Sequence, residues 1–177
     1  IIVGQACGTS ALAAVGSTGN LTNLIVNFYV GLSTGASVVI AQYYGAQNNK
    51  KIHQAVHTSY ILAIVSGILM MLFGLFFSYQ CLDAIGTPHD ILNDATLYMQ
   101  LYFLCMIPGA IYNIGAGILR AVGDSKRPLY YLIVCSIVNV VFDFIFVVIF
   151  HQGIAGAAIA TVIAQFVCAI LVTIQLM

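Results

Sequence analysis

Charge is what this sequence has least of. Lys, Arg, Asp and Glu together make up 6% of its 177 residues, and five basic residues cancel five acidic ones. A soluble domain carries roughly a quarter of its residues charged, so a water-facing surface of this size is excluded. Without a basic excess there is no electrostatic case for nucleic acid or a long anionic partner. Cys7, Cys81, Cys105, Cys135 and Cys168 show no Cys-x-x-Cys spacing, which argues against a metal or redox centre and leaves them as small buried hydrophobes. The chain opens on Ile1-Ile2-Val3-Gly4 without Met or a basic n-region, so no signal peptide is visible and the abrupt start suggests a fragment.

What is there is apolar: 62% hydrophobic residues and a mean hydropathy of +1.05. No formal charge occurs between Lys51 and Asp83, between Asp94 and Arg120, or after Asp143, and each interval exceeds the roughly 20 residues that span a bilayer core. Runs such as LAIVSGILMMLFGLFF and NVVFDFIFVVIF are unbroken rather than alternating, so they read as helices and not as barrel strands. The expected fold is an all-α polytopic transmembrane helix bundle, with spans near 20–42, 58–78, 95–119, 128–150 and 154–177. Residues 1–19 read as the end of a preceding helix and a small-residue connection. Gly31 and Gly35 have the GxxxG spacing that lets a neighbouring backbone approach, and Pro108-Gly109 predicts a kink in the third span.

The loops differ in sign. YYGAQNNKKIHQAVH and RAVGDSKR are basic, while CLDAIGTPHDILNDA is acidic and His151-Gln152-Gly153 forms a tight turn. Two spans separate the basic loops, so they share a side. The positive-inside rule then makes the loops at 43–57 and 120–127, with Lys50, Lys51, Arg120, Lys126 and Arg127, cytoplasmic in a multi-pass protein of the plasma (inner) membrane.

Asp143 is the one acid deep within a span, among Val140, Val141, Phe142, Phe144 and Ile145. An ionisable group there is costly unless it meets a polar cavity, a cation or a proton, so it is the first functional candidate. Asn139 lies four residues earlier on the same helical face, and Thr161 and Gln165 are four apart on the following helix. A hairpin folded about Gln152 sets Asp143 level with Thr161 and Asn139 level with Gln165, roughly 13 Å from the turn and near the middle of a core about 30 Å thick. Carboxylate, amide carbonyl and hydroxyl are hard oxygen ligands, suited to an alkali cation such as Na⁺ at Asp143, Asn139 and Thr161, or to a protonated carboxyl. The plainer alternative is that Asp143 only joins helices through a hydrogen bond.

Other residues carry less. His53 and His57 have i, i+4 spacing but lack the Glu of HExxH, and lie at the basic membrane surface, which favours solvation over zinc. His89 and His151 fall in outer loops, and Tyr98, Tyr102 and Tyr112 are more typical of packing or interfacial anchoring than of a cation cage. No nucleophile and base share a depth, so the chain does not read as an enzyme.

The stretches VGQACGTSALAAVGSTGNLTNLIVNFYVGLSTGASVVIAQYYGAQN, GAGILRAVGDSKRPLYY and NVVFDFIFVVIFHQGIAGAAIATVIAQ together resemble the multidrug and toxic compound extrusion (MATE) transporters, over nearly the whole chain. The resemblance implies a bundle of about twelve helices in two lobes, of which residues 1–177 match the N-terminal lobe from the end of its first helix. It also implies export of organic cations or other amphipathic small molecules by antiport with Na⁺ or H⁺ as coupling ion and no further cofactor. The partners implied are the lipid bilayer, the missing first helix and the C-terminal lobe. The family's cation site in this lobe uses an Asn, an Asp and a Thr that match Asn139, Asp143 and Thr161, while its acidic residue on the first helix would fall before Ile1. Two alternatives stand beside this. A flippase for lipid-linked oligosaccharide would favour Lys or Arg inside the spans, where there is none, and a non-transporting scaffold subunit would tolerate Asp143→Asn.

Overall fold

Lipid offers no hydrogen bonds, so a chain this apolar must satisfy its backbone within its own elements, and helices do so locally. The computed structural model describes residue 16 and residues 18–176, and every regular element in it is helical. The elements are α1 (Gly19–Gly45), α2 (Asn49–Ala84), α3 (Leu92–Phe103), α4 (Met106–Ala121), α5 (Lys126–Asp143), a π-helical continuation of α5 (Phe144–Ile149) and α6 (Gly153–Leu176). Among the described residues four helical stretches are long and apolar enough to cross a membrane, or five if α3 and α4, bent by 49°, form one span. Of residues 1–19, expected as the end of a preceding helix and a small-residue connection, 1–15 and 17 lie outside the described residues, as does Cys7.

The basic segment expected as a loop over 43–57 is mostly helix. Only Ala46–Asn48 separates α1 from α2, with Gln47 turned to φ 52°. Asn48 then caps α2, its side-chain oxygen accepting the Lys51 N–H at 3.2 Å. The cap lets the polar run continue as helix below the apolar one, so α2 has 36 residues and is about 54 Å long, well beyond a core of about 30 Å. Asn48→Ala is expected to cost about 1 kcal/mol locally. Hydrogen exchange of the first-turn amides at 49–52 should quicken, while exchange in the middle of α2 stays unchanged.

The second basic loop is shorter than 120–127, because Arg120 lies in the last turn of α4, which ends at Ala121, and Lys126 and Arg127 begin α5. Gly123, at φ 92°, closes α4 by letting the Asp124 N–H return to the Leu119 carbonyl at 2.9 Å. Asp124 then accepts the Arg127 N–H at 3.2 Å and pairs with its guanidinium at 3.2 Å.

The kink expected at Pro108-Gly109 falls one turn earlier, at Leu104–Cys105 between α3 and α4. Proline has no N–H for the carbonyl four residues back and its ring crowds that carbonyl, so the break is felt at Leu104. Pro108 itself sits in the first turn of α4, where no hydrogen bond is lost.

Large apolar side chains face outward as well as inward, as with Phe76 at 72% and Ile174 at 69% exposure, and the interior mixes large residues such as Ile40, Leu82 and Met99 with small ones such as Ala63, Ala95, Ala110, Ala158 and Ala160. Helix α4 is the centre, contacting α1, α2 and α6, while α5 packs on α6. Its small residues permit the closest approaches. A Cβ on Gly117 would lie 2.2 Å from Ser33 Oγ, and one on Gly67 of α2 would lie 2.8 Å from the Ile107 Cα. The expected GxxxG pair behaves otherwise, since among the described residues Gly31 and Gly35 have nothing within 4 Å of a Cβ position. The reading of all cysteines as unpaired hydrophobes is also corrected: Cys135 of α5 and Cys168 of α6 form a disulfide with Cα atoms 5.9 Å apart, whereas Cys81 and Cys105 are free. Their helices are antiparallel neighbours, and that proximity is invisible in sequence spacing.

Candidate functional site

The hairpin of α5 and α6 turns through Phe150–Gln152, with His151 at φ 53° and Gly153 at φ 59°. Asn139 and Asp143 occupy the last turns of α5, and Thr161 and Gln165 the facing helix. Asn139 Nδ2 donates to Thr161 Oγ1 at 3.3 Å, and Thr161 Oγ1 donates to the Ala157 carbonyl at 3.0 Å. The threonine proton is therefore committed to its own helix, and its oxygen faces Asn139 as an acceptor.

The register differs from the expectation by about one turn, because Asn139 meets Thr161 and not Gln165. Two features supply the reason: the turn is centred on His151 rather than Gln152, and a π-helical stretch precedes it. Directly after Asp143 the chain widens to i→i+5 bonding, seen where the Phe150 N–H reaches the Ile145 carbonyl at 3.0 Å. A wider turn uses more residues for the same axial distance, so Asn139 lies closer to the hairpin turn than α-helical counting gives. Phe142, Phe146 and Phe150 stack along this stretch at centroid distances of 5.7 and 6.1 Å.

Asp143 and Gln165 do not join the Asn139–Thr161 hydrogen bond. Among the described residues, Asp143 Oδ1 is buried without a hydrogen-bond partner, and so is Gln165 Oε1. Gln165 extends towards α4, its Oε1 lying 4.0 Å from a Cβ position on Gly109. A buried acceptor without a donor costs free energy comparable to a lost hydrogen bond, so these oxygens fit a partner that brings positive charge or a proton. Tyr98 of α3 stacks on Tyr102 at 6.3 Å.

The remaining candidates lie apart. His53 and His57 line a surface opening between α2 and α6 with Tyr60 and Thr173, whose hydroxyls are 3.4 Å apart. Among the described residues no three His, Cys, Asp or Glu side chains come together to hold a metal. His89 is exposed in the connection between α2 and α3, and Tyr112 donates to the Pro128 carbonyl at 3.2 Å.

Comparison with known proteins gives a consistent result. The MatE family model matches residues 1–145. The probable multidrug resistance protein YoeA of Bacillus subtilis is 32% identical over 166 residues, which is 92% of this chain and 36% of that protein. A crystal structure of MATE in the bent conformation superposes with a TM-score of 0.94 at 27% identity, covering 99% of this chain and 39% of that one. An inward-facing multidrug resistance MATE family transporter of the MOP superfamily gives the same TM-score of 0.94 at 27% identity, covering 99% and 40%. The chain thus spans somewhat more than a third of the length of the relatives it matches.

Proposed function

Because the chain belongs to the MATE family of transporters, we propose that the protein containing it is a secondary active efflux transporter that exports organic cations or amphipathic drugs by antiport with Na⁺ or H⁺. Asp143 is the coupling site in this reading, alternating between an ion-bound or protonated form and a free form. The observation that carries it is the buried Asp143 oxygen, unpartnered among the described residues, one turn from the hydrogen-bonded Asn139 and Thr161. An orphaned carboxylate oxygen in a span has a strong preference for a cation or proton, and occupancy of that kind can bias two conformations only if they bind the ion with different affinity. Asn139 and Thr161 add neutral oxygens of the type an alkali cation takes, and Gln165 adds a further one from the α4 side of α6.

The cargo reading rests on charge. All five basic residues lie at or beyond helix ends and none inside a span, so an anionic cargo would find no fixed positive partner in this part of the pathway. Their shared side is cytoplasmic under the positive-inside rule.

The test is dye efflux by the full-length protein in vesicles, driven in turn by an imposed Na⁺ gradient and an imposed pH gradient, with and without Asp143→Asn. Gradient-driven efflux in the variant equal to wild type overturns the coupling role. A milder change probes the neighbours. Thr161→Val removes the acceptor of the Asn139 hydrogen bond and is expected to raise the half-saturating concentration of the coupling ion by about tenfold, the size of one lost hydrogen bond near a charge. Maximal efflux at saturating ion should change little.

A further inference from the structure

We propose that the groove between α1 and α2, at their basic ends, is a binding site for an anionic phospholipid of the adjoining leaflet. The site is separate from the hairpin of α5 and α6 and does not depend on the transport reading.

The two helices join at Ala46–Asn48 and leave an opening of about 420 Å³, whose lining includes Gly35, Val39, Tyr43, Lys51, Gln54 and Leu62. A second opening of about 550 Å³ shares Leu32, Gly35, Ala36 and Leu62 and extends the groove to Phe28. The lining is graded. Lys51, Gln54 and Tyr43 stand at the mouth, and beyond Val39 the walls are apolar apart from Thr58 and Ser59, whose hydroxyls donate to the Gln54 and Ala55 carbonyls of their own helix, and Asn27 at the far end. From Tyr43 back to Leu32 the helix runs about 16 Å, which matches a single leaflet of about 15 Å. The floor is deep because Gly31 and Gly35 present no side chain and, among the described residues, meet nothing within 4 Å.

The charge at the mouth is uncompensated. Lys51 Nζ sits 5.4 Å over the Tyr43 ring, which holds it beside the groove. Among the described residues the ion pair formed is Arg127 with Asp124, so neither Lys51 nor the adjacent Lys50 has a carboxylate. Asp83, Asp90 and Asp94 lie at the other end of α2 and beyond it. A phosphate at this depth supplies the missing charge, and the Gln54 side-chain amide supplies a donor beside it. A free phosphate would use the mouth but leave the apolar length of the groove empty, whereas a phospholipid fills both.

The test is native mass spectrometry of the full-length protein released from nanodiscs of equimolar phosphatidylglycerol and phosphatidylcholine. Wild type is expected to retain phosphatidylglycerol in preference. Lys51→Gln should lower that preference by about fivefold, the factor one interfacial lysine contributes. Gly35→Leu should fill the floor and abolish retention of both lipids with an unchanged melting temperature. Equal retention of the two lipids by wild type overturns the proposal, as does a Lys51→Gln preference equal to wild type. A Gly35→Leu variant that melts earlier with lipid retention unaltered also overturns it, because a protein segment then covers the groove.

Discussion

Asp143→Asn is expected to lower gradient-driven efflux by about a hundredfold while leaving the protein folded. A carboxylate and a cation about 4 Å apart attract by about 4 kcal/mol at an effective dielectric constant of about 20. Desolvation and the residual dipole of the asparagine offset part of this. A remainder of about 2.7 kcal/mol corresponds to the hundredfold loss of site occupancy at fixed ion concentration. Folding should not suffer, since Asn has the shape of Asp and removes an ionisable group from a span flanked by Phe142 and Phe144. The checks are efflux in vesicles and a melting curve in detergent. A variant that melts with wild type and has lost efflux under the wild type's driving gradient separates coupling from stability, and a helix-joining role for Asp143 predicts the reverse pattern.

Gly67→Leu is expected to lower the melting temperature by about 10 °C. The Cβ it adds would lie 2.8 Å from the Ile107 Cα, 3.2 Å from its nitrogen and 3.2 Å from its Cγ1, so the obstruction is backbone as well as side chain. Helix α4 cannot retreat. Gly117 is pressed on Ser33 and Ser37 of α1, and Gly115 lies with its Cβ position 2.9 Å from the Val172 methyls of α6. Ser33 Oγ also donates to the Asn113 carbonyl at 2.6 Å, pinning α1 to the same stretch. Overpacking against a fixed neighbour costs about 3 kcal/mol, and each kcal/mol moves the midpoint by about 3 °C in a domain of this size. Gly31→Ala is the control, expected to melt with wild type or slightly above it, because its added carbon meets nothing within 4 Å. A Gly67→Leu protein that melts with wild type would mean that α2 and α4 do not pack as described.

The helical class was legible because lipid removes the alternatives, and uncharged runs of more than about 20 residues carry that information without any reference to neighbours. Asn139, Asp143, Thr161 and Gln165 were legible as a group for a related reason: polar residues are so rare in these spans that i, i+4 pairs stand out. Their register was not legible. Counting at a constant rise assumes α geometry through residue 149, and the change to π geometry at Phe144 depends on how the hairpin packs. The small-residue contacts were misjudged in the same way. Gly31 and Gly35 carry the familiar spacing yet face open space, whereas Gly67 and Gly117, without it, accept a neighbouring backbone or side chain. Spacing identifies a smooth face but not what lies against it. Asn48 shows the opposite case, in which one capping side chain turned a polar stretch expected as loop into helix.

The 36 residues of α2 form one rod anchored in its middle by Gly67 against α4, with Tyr60 against Thr173 of α6 towards its basic end. Such a rod is a lever arm. A tilt of about 10° around its midpoint carries the Asn49 end sideways by about 5 Å, given a half-length of about 27 Å. Rearrangements near the bilayer centre, too small to follow directly, are thereby magnified at the tip that carries Lys50, Lys51 and His53.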